Sequence, residues 1–187
     1  WGWALLGAVG YMGVISLKEN KERFDSYEAA RDYCTRVGKP LLRIGMRRAP
    51  WEPPNGDVTI DLDPEVQKIP GGVMGDECQM PFEDKAFGVC LNQHTLEHLP
   101  DRGSIEQAVA ECVRVADYTI ILVPSPYSHW NLWHPTHHHQ IWVKGDTLEV
   151  RPNTMKVMNL YFAGDASKGV GQMMVLKDDL PKVIGGE

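Results

Sequence analysis

The sequence predicts an α/β fold: a mostly parallel, seven-stranded sheet with helices on both faces, preceded by one N-terminal transmembrane helix. Three observations carry this expectation. Short, continuously apolar runs recur along the chain, several ending in glycine or an acid. An amphipathic helical period separates the two most apolar of them. The opening stretch, Trp1 to Leu17, carries no charged residue.

That opening stretch is near the lower limit for a bilayer-spanning helix, roughly 17–25 residues. It breaks abruptly into Lys18-Glu19-Asn20-Lys21-Glu22-Arg23. Trp1, Trp3 and Tyr11 fit an interfacial aromatic belt in part. Gly7, Gly10 and Gly13 recur every third residue and form a smooth strip against which another transmembrane helix would pack. Lys18, Lys21 and Arg23 place the globular part on the cytoplasmic side by the positive-inside tendency. A cleavable signal or a buried amphipathic segment is the competing reading of the same run. The organisation expected is an anchor over 1–17, a juxtamembrane segment and first helix over 18–38, and an α/β domain over 39–187.

The first helix spans Ser26 to Val37, with Ser26 as its cap and Gly38 as its stop. Strands follow at Pro40–Gly45, Asp57–Leu62, Gly72–Asp76, Ala86–Asn92 and Tyr118–Pro124. Between the last two, Ser104 to Ala116 places Ile105, Ala108, Val109, Cys112 and Val115 on one helical face. Two more strands, Val157–Phe162 and Gln172–Leu176, close the sheet, joined by the turn chemistry of Gly164 to Gly169. Trp51 to Gly56 reads as a loop.

The formal net charge of −6 argues against a nucleic-acid backbone as the main partner. Cys34, Cys78, Cys90 and Cys112 form no C-x-x-C pair, which disfavours a zinc ribbon and suits free buried thiols in a reducing compartment.

The run Gly75-Asp76-Glu77-Cys78-Gln79-Met80-Pro81-Phe82, followed by Ala86-Phe87-Gly88-Val89, resembles the third-strand end, Leu-Pro-Phe-like turn and fourth strand of small class I S-adenosylmethionine-dependent methyltransferases. Leu96-Glu97-His98 resembles the Leu-Glu-His segment of that family, and Glu111-Cys112-Val113-Arg114-Val115 its Glu-x-x-Arg-Val helix end. The likeness covers Leu41 to Val123 best and implies a Rossmann-like methyltransferase fold. Ligands of open parallel sheets bind beyond the carboxyl ends of the strands, where strand order reverses. The resemblance therefore implies that Gly45 approaches the cofactor, S-adenosylmethionine, that Asp61 holds its ribose, that Asp76 faces its adenine, and that Asn92 and His94 line the methionine end. Asp61 also reads as a turn residue before Asp63-Pro64, with Asp63 the rival ribose ligand, and Asp76 reads equally as a strand-end turn.

The glycine loop departs from the family pattern. Arg43-Ile44-Gly45-Met46-Arg47-Arg48-Ala49 keeps one glycine, places Arg43 where an acid is expected, and adds bulk at Arg47 and Ala49. Three outcomes follow: an altered cofactor pose, a more anionic ligand, or a scaffold that binds nothing.

His134, His137, His138 and His139 cluster after the fifth strand. They read first as a structural loop, next as the lining of an acceptor pocket, with His94 or His134 as general base, and last as a metal site, since no known metal-ligand spacing is matched. Trp130, Trp133 and Trp142 would wall a planar or apolar substrate or rest on a membrane surface. The expectation is a membrane-anchored methyltransferase-like protein; the alternative is an inactive methyltransferase-fold subunit of a membrane assembly.

Overall fold

The computed structural model describes residues 2–125, 134–153 and 172–185, with backbone only over 2–13. The elements run α1 (Gly2–Val37), β1 (Leu41–Ile44), β2 (Val58–Asp61), β3 (Gly72–Met74), β4 (Phe87–Gln93), α2 (Arg102–Val115), β5 (Ala116–Val123), β6 (His139–Lys144), β7 (Thr147–Pro152), β8 (Gln172–Leu176) and β9 (Lys182–Gly185). The main sheet has the order β3-β2-β1-β4-β5-β8. β1 to β5 pair in parallel, and β8 joins β5 antiparallel, Ile121 opposite Met174.

Period-two alternation sorts the core onto two faces. Leu41, Val89, Leu91 and Ile120 pack with Ala30 and Cys34 of α1. Leu42, Ile44, Ile60 and Cys90 pack on the other face with Cys112 and Val115 of α2. Both faces are thus covered, which is why the parallel strands read as apolar throughout. The remaining apolar side of α2, Ile105, Ala108 and Val109, meets Ile141, Leu148 and Val150 of a second sheet ordered β6-β7-β9.

Local signals explain the boundaries. Gly38 ends α1 at φ +70°, a left-handed stop that glycine makes without strain. Asp101 caps α2 by accepting the Ser104 amide at 2.8 Å. Gly72 lies so close to the preceding turn that a Cβ there would come within 1.7 Å of the Val66 carbonyl oxygen. Only glycine lets β3 start there.

Two expectations are corrected. The sheet is mixed, and among the described residues it has six strands rather than seven. Of the two closing strands, Gln172–Leu176 forms as β8, antiparallel, because it must run back along β5; Val157–Phe162 lies outside the described residues. The second sheet was not foreseen.

The transmembrane helix is also overturned, and with it the single-pass membrane location facing the cytosol. Among the described residues no helix is long and apolar enough to cross a membrane. The uncharged part of α1, at about 1.5 Å rise per residue, reaches roughly 24 Å, short of a hydrocarbon core of about 30 Å. The helix continues without a break into the charged stretch. Ile15, Glu19, Ser26, Ala30 and Cys34 are all buried. This helical stripe crosses the expected anchor boundary and presses on the domain. Ser26 is therefore no cap: it lies inside α1, its hydroxyl donating to the Arg23 carbonyl. Gly7, Gly10 and Gly13 fall where the backbone alone is described.

Candidate functional site: a cleft at the carboxyl ends of β1, β2 and β4

Strand order reverses between β1 and β4, and a cleft of about 1080 Å³ opens beside their carboxyl ends. Gly45, Asp61, Asp76, His94 and His134, five of the six site residues expected from sequence, line it. Asn92 does not; it is fully buried behind the wall.

Gly45 turns the chain out of β1 at φ +77°, its amide donating to the Ile60 carbonyl at 2.9 Å. A side chain at this φ would be strained, and its Cβ would press Thr95 Cγ2 at 3.2 Å, so glycine suits the position. Asp61, at the end of β2, accepts the Met46 amide on Oδ2 and the Asp63 amide on Oδ1, both at 2.8 Å. Arg48 reaches over and spans both oxygens, at 3.2 and 3.1 Å. The rival carboxylate, Asp63, is committed elsewhere: it takes Arg48 Nη1 at 2.6 Å and caps the turn Pro64–Lys68 through the Glu65 amide. Asp76 is at once a turn residue, accepting the Cys78 amide at 2.8 Å, and a cleft residue.

Sequence reasoning missed Glu77. Its carboxylate lines the cleft and takes Asn92 Nδ2 at 2.8 Å and the Thr95 hydroxyl at 3.1 Å. Asn92 thus acts on the cleft through Glu77. Burial pushes the Glu77 carboxyl up to about 7, outweighing the hydrogen bonds from Thr95 and Asn92 that favour the anion. A carboxyl that holds its proton more tightly when folded stabilises the fold fully below its unfolded pKa, and this contribution is lost as pH rises towards about 7. Glu77→Gln is accordingly expected to flatten stability between about pH 4.5 and about pH 7, by a slope of at most about 1.4 kcal/mol per pH unit. Urea midpoints measured across that range check this, and an unchanged slope would contradict it.

Arg43 does not face a cofactor ammonium as the sequence suggested. Its buried guanidinium turns onto the 51–55 loop, donating to the carbonyls of Pro53 and, at 2.8 Å, Pro54. Burial, reinforced by nearby Arg23, lowers it to about 10. Glu52 lies 3.7 Å from Arg43 and 3.8 Å from Arg23, so that loop brings a carboxylate into the cleft. Arg47, expected to crowd the approach, instead bonds back to Ala49 and Pro50. Arg48, by contrast, lines the cleft, together with Arg23 and Arg43. The fold brings the Arg48 guanidinium onto the Asp61 carboxylate across 13 residues of chain.

His94 adopts φ +58°, uncommon for a residue other than glycine, and its amide donates to the Leu122 carbonyl. Burial drives its imidazole well below the usual range, so it is neutral, and Nε2 has no hydrogen-bond partner among the described residues. His134 meets His98 and His137 on the cleft wall: ring centroids lie 5.5 Å apart for His98–His134, 4.5 Å for His98–His137 and 4.7 Å for His134–His137. His139 departs from this group, buried in β6, and His138 is exposed. Trp142 lies in β6 under the Arg151 guanidinium, away from the cleft, whereas Trp51 lines it. Trp130 and Trp133 lie outside the described residues.

Comparisons with known proteins follow this geometry. No curated protein matches the chain. Among solved structures, a S-adenosylmethionine-dependent methyltransferase from Clostridium acetobutylicum aligns at 8% identity and TM-score 0.40, covering 68% of this chain and 59% of that one. The PH0226 protein from Pyrococcus horikoshii aligns at 13% identity and TM-score 0.37, covering 63% and 66%. In both cases this chain spans less than two thirds of the other's length. Residues 58–118, from the start of β2 into β5, match the family described as "Methyltransferase domain".

Proposed function

We propose that the chain is a methyltransferase whose cleft binds S-adenosylmethionine, with methyl transfer to an acceptor that enters from the His98–His134–His137 wall. The observation that carries this reading is the convergence of Gly45, Asp61 and Asp76 at the reversal of strand order. Asp61 would accept the ribose hydroxyls and Asp76 the adenine amine. Glu52 supplies a carboxylate for the cofactor's ammonium group, the charge that Arg43 does not provide. The protein's main contribution is to hold sulfonium and acceptor in line. His94 and His134 are the groups placed to take a proton from the acceptor, His134 only while its ring holds no metal; burial depresses the basicity of His94.

Arg48 favours a second reading, a methyltransferase fold that no longer turns over. It covers the oxygens of Asp61 that a ribose diol would need. The two readings separate on one titration. Under the first, S-adenosylmethionine and S-adenosylhomocysteine bind calorimetrically at micromolar levels. Arg48→Ala then tightens binding by up to about fivefold, the worth of an exposed ion pair of about 0–1 kcal/mol. No heat at millimolar cofactor in either protein, both folded, would leave the inactive scaffold.

A further inference from the structure

We propose that His98, His134 and His137 form a binding site for a zinc-type divalent cation, with an open coordination position facing the cleft. One ring nitrogen from each residue lies within 4.8 Å of the other two, and all three side chains line the cleft wall. The residues come from two separate segments. His98 ends the short turn Leu96–His98 that follows β4, while His134 and His137 precede β6. Sequence spacing could not show this, because the convergence is made by the fold.

Two further features fit a cation. Thr136 Oγ1 lies 2.8 Å from Nδ1 of His98 and 2.9 Å from Nδ1 of His134, so one hydroxyl fixes the orientation of two rings, as outer partners of metal-bound histidines do. Glu97 is fully buried, neither of its carboxyl oxygens has a hydrogen-bond partner among the described residues, and Oε1 lies 3.8 Å from His137 Nε2. A cation on the histidines would give that carboxyl a positive neighbour through the ring, the carboxylate–histidine–metal arrangement.

An all-imidazole set with no thiolate suits zinc, copper, iron or nickel, and three histidines with a free fourth position match the open geometry of reactive zinc sites. Zinc–nitrogen bonds of about 2.0–2.1 Å need the ring nitrogens roughly 3.4 Å apart, so the rings must draw in by on the order of 1 Å. The ligand taken at the open position would be an oxygen, nitrogen or sulfur donor on a molecule in the cleft, and a bound metal lowers the pKa of such a group.

The test uses the whole chain freed of metal with a chelator, no cofactor added, and Co(II) as the probe. Stoichiometric uptake with the intense visible absorption of a four-coordinate site, reversed by Zn(II), is expected. His98→Ala and His134→Gln should each weaken uptake on the order of 100-fold or more, beyond the 10–100-fold typical of outer-partner losses. His138→Ala, at the exposed neighbour, should leave it unchanged. Circular dichroism confirms that each variant is folded; where His98→Ala is not, His134→Gln decides. Absence of stoichiometric uptake, equal uptake in the two site variants, or loss in His138→Ala would overturn the site. Failure of cofactor binding bears on the methyltransferase reading and leaves this result untouched.

Discussion

Asp61→Ala is expected to weaken S-adenosylmethionine binding by about 10- to 150-fold. Hydrogen bonds to a charged group contribute about 1.5–3 kcal/mol each, and about 1.4 kcal/mol is a factor of ten. Asp61 is already partly engaged. The Met46 and Asp63 amides hold one oxygen each and tie the two loops that flank the cleft. Those bonds stay when a ligand enters; the contacts that change are those of Arg48. The ribose therefore has to displace a guanidinium whose side chain is 50% exposed, a modest cost because such ion pairs are weak. Asp61→Asn separates charge from shape, since it keeps an acceptor oxygen and loses the anion. Calorimetry should rank affinities as wild type, then Asp61→Asn, then Asp61→Ala, with alanine weakest or equal to asparagine. Unchanged affinity in Asp61→Ala would place the ribose elsewhere.

Arg43→Ala is expected to cost about 3–5 kcal/mol of folding stability, the range for breaking one side of a buried charged contact. The Arg43 side chain is 3% exposed in the middle of β1's register with β2 and β4. Its guanidinium ties the carbonyls of two consecutive prolines, Pro53 and Pro54, to the sheet and holds Glu52 beside it. Without it those carbonyls lose their donor, and Glu52 loses one of its two charge partners, keeping Arg23 at 3.8 Å and the Arg48 amide at 3.0 Å. Arg43→Met, which keeps much of the volume, should cost less than Arg43→Ala. Urea unfolding measures both. A shift within about 0.5 kcal/mol for Arg43→Ala, typical of a surface position, would contradict this account of Arg43.

The central sheet was legible because its strands are buried on both faces and read as apolar runs: Leu41–Ile44, Phe87–Gln93 and Ala116–Val123 each fell within a few residues of the expected limits. The order of acid- and glycine-ended strands also placed Gly45, Asp61 and Asp76 on one cleft. The first helix was misread for a definite reason. Its buried stripe includes Glu19 and Ser26, which an apolar period does not count, and Glu19 is used inside the fold to accept the Ser125 amide. The uncharged run before it then looked like a separate element. The hairpin of β6 and β7 carried a turn signal in Gly145-Asp146, but the adjoining histidines drew the reading to loop chemistry. Glu52 and Glu77 could not have been picked from sequence as cleft residues, because each is an ordinary charge in a loop until the chain brings Arg43 or Asn92 to it; Arg48 stood in the arginine loop that suggested an anionic ligand, but its pairing with Asp61 is made by the fold.

Amide hydrogen exchange on the whole chain, with and without saturating S-adenosylhomocysteine, tests the placement of the cofactor most directly. Binding in the cleft predicts slowed exchange at 44–48, 61–63, 75–78 and 93–95, the turns that follow β1, β2, β3 and β4. The second sheet, β6-β7-β9, should be unaffected away from the cleft. Protection confined to that second sheet, or no protection in a folded protein at saturating ligand, would contradict a cofactor site at the reversal of strand order.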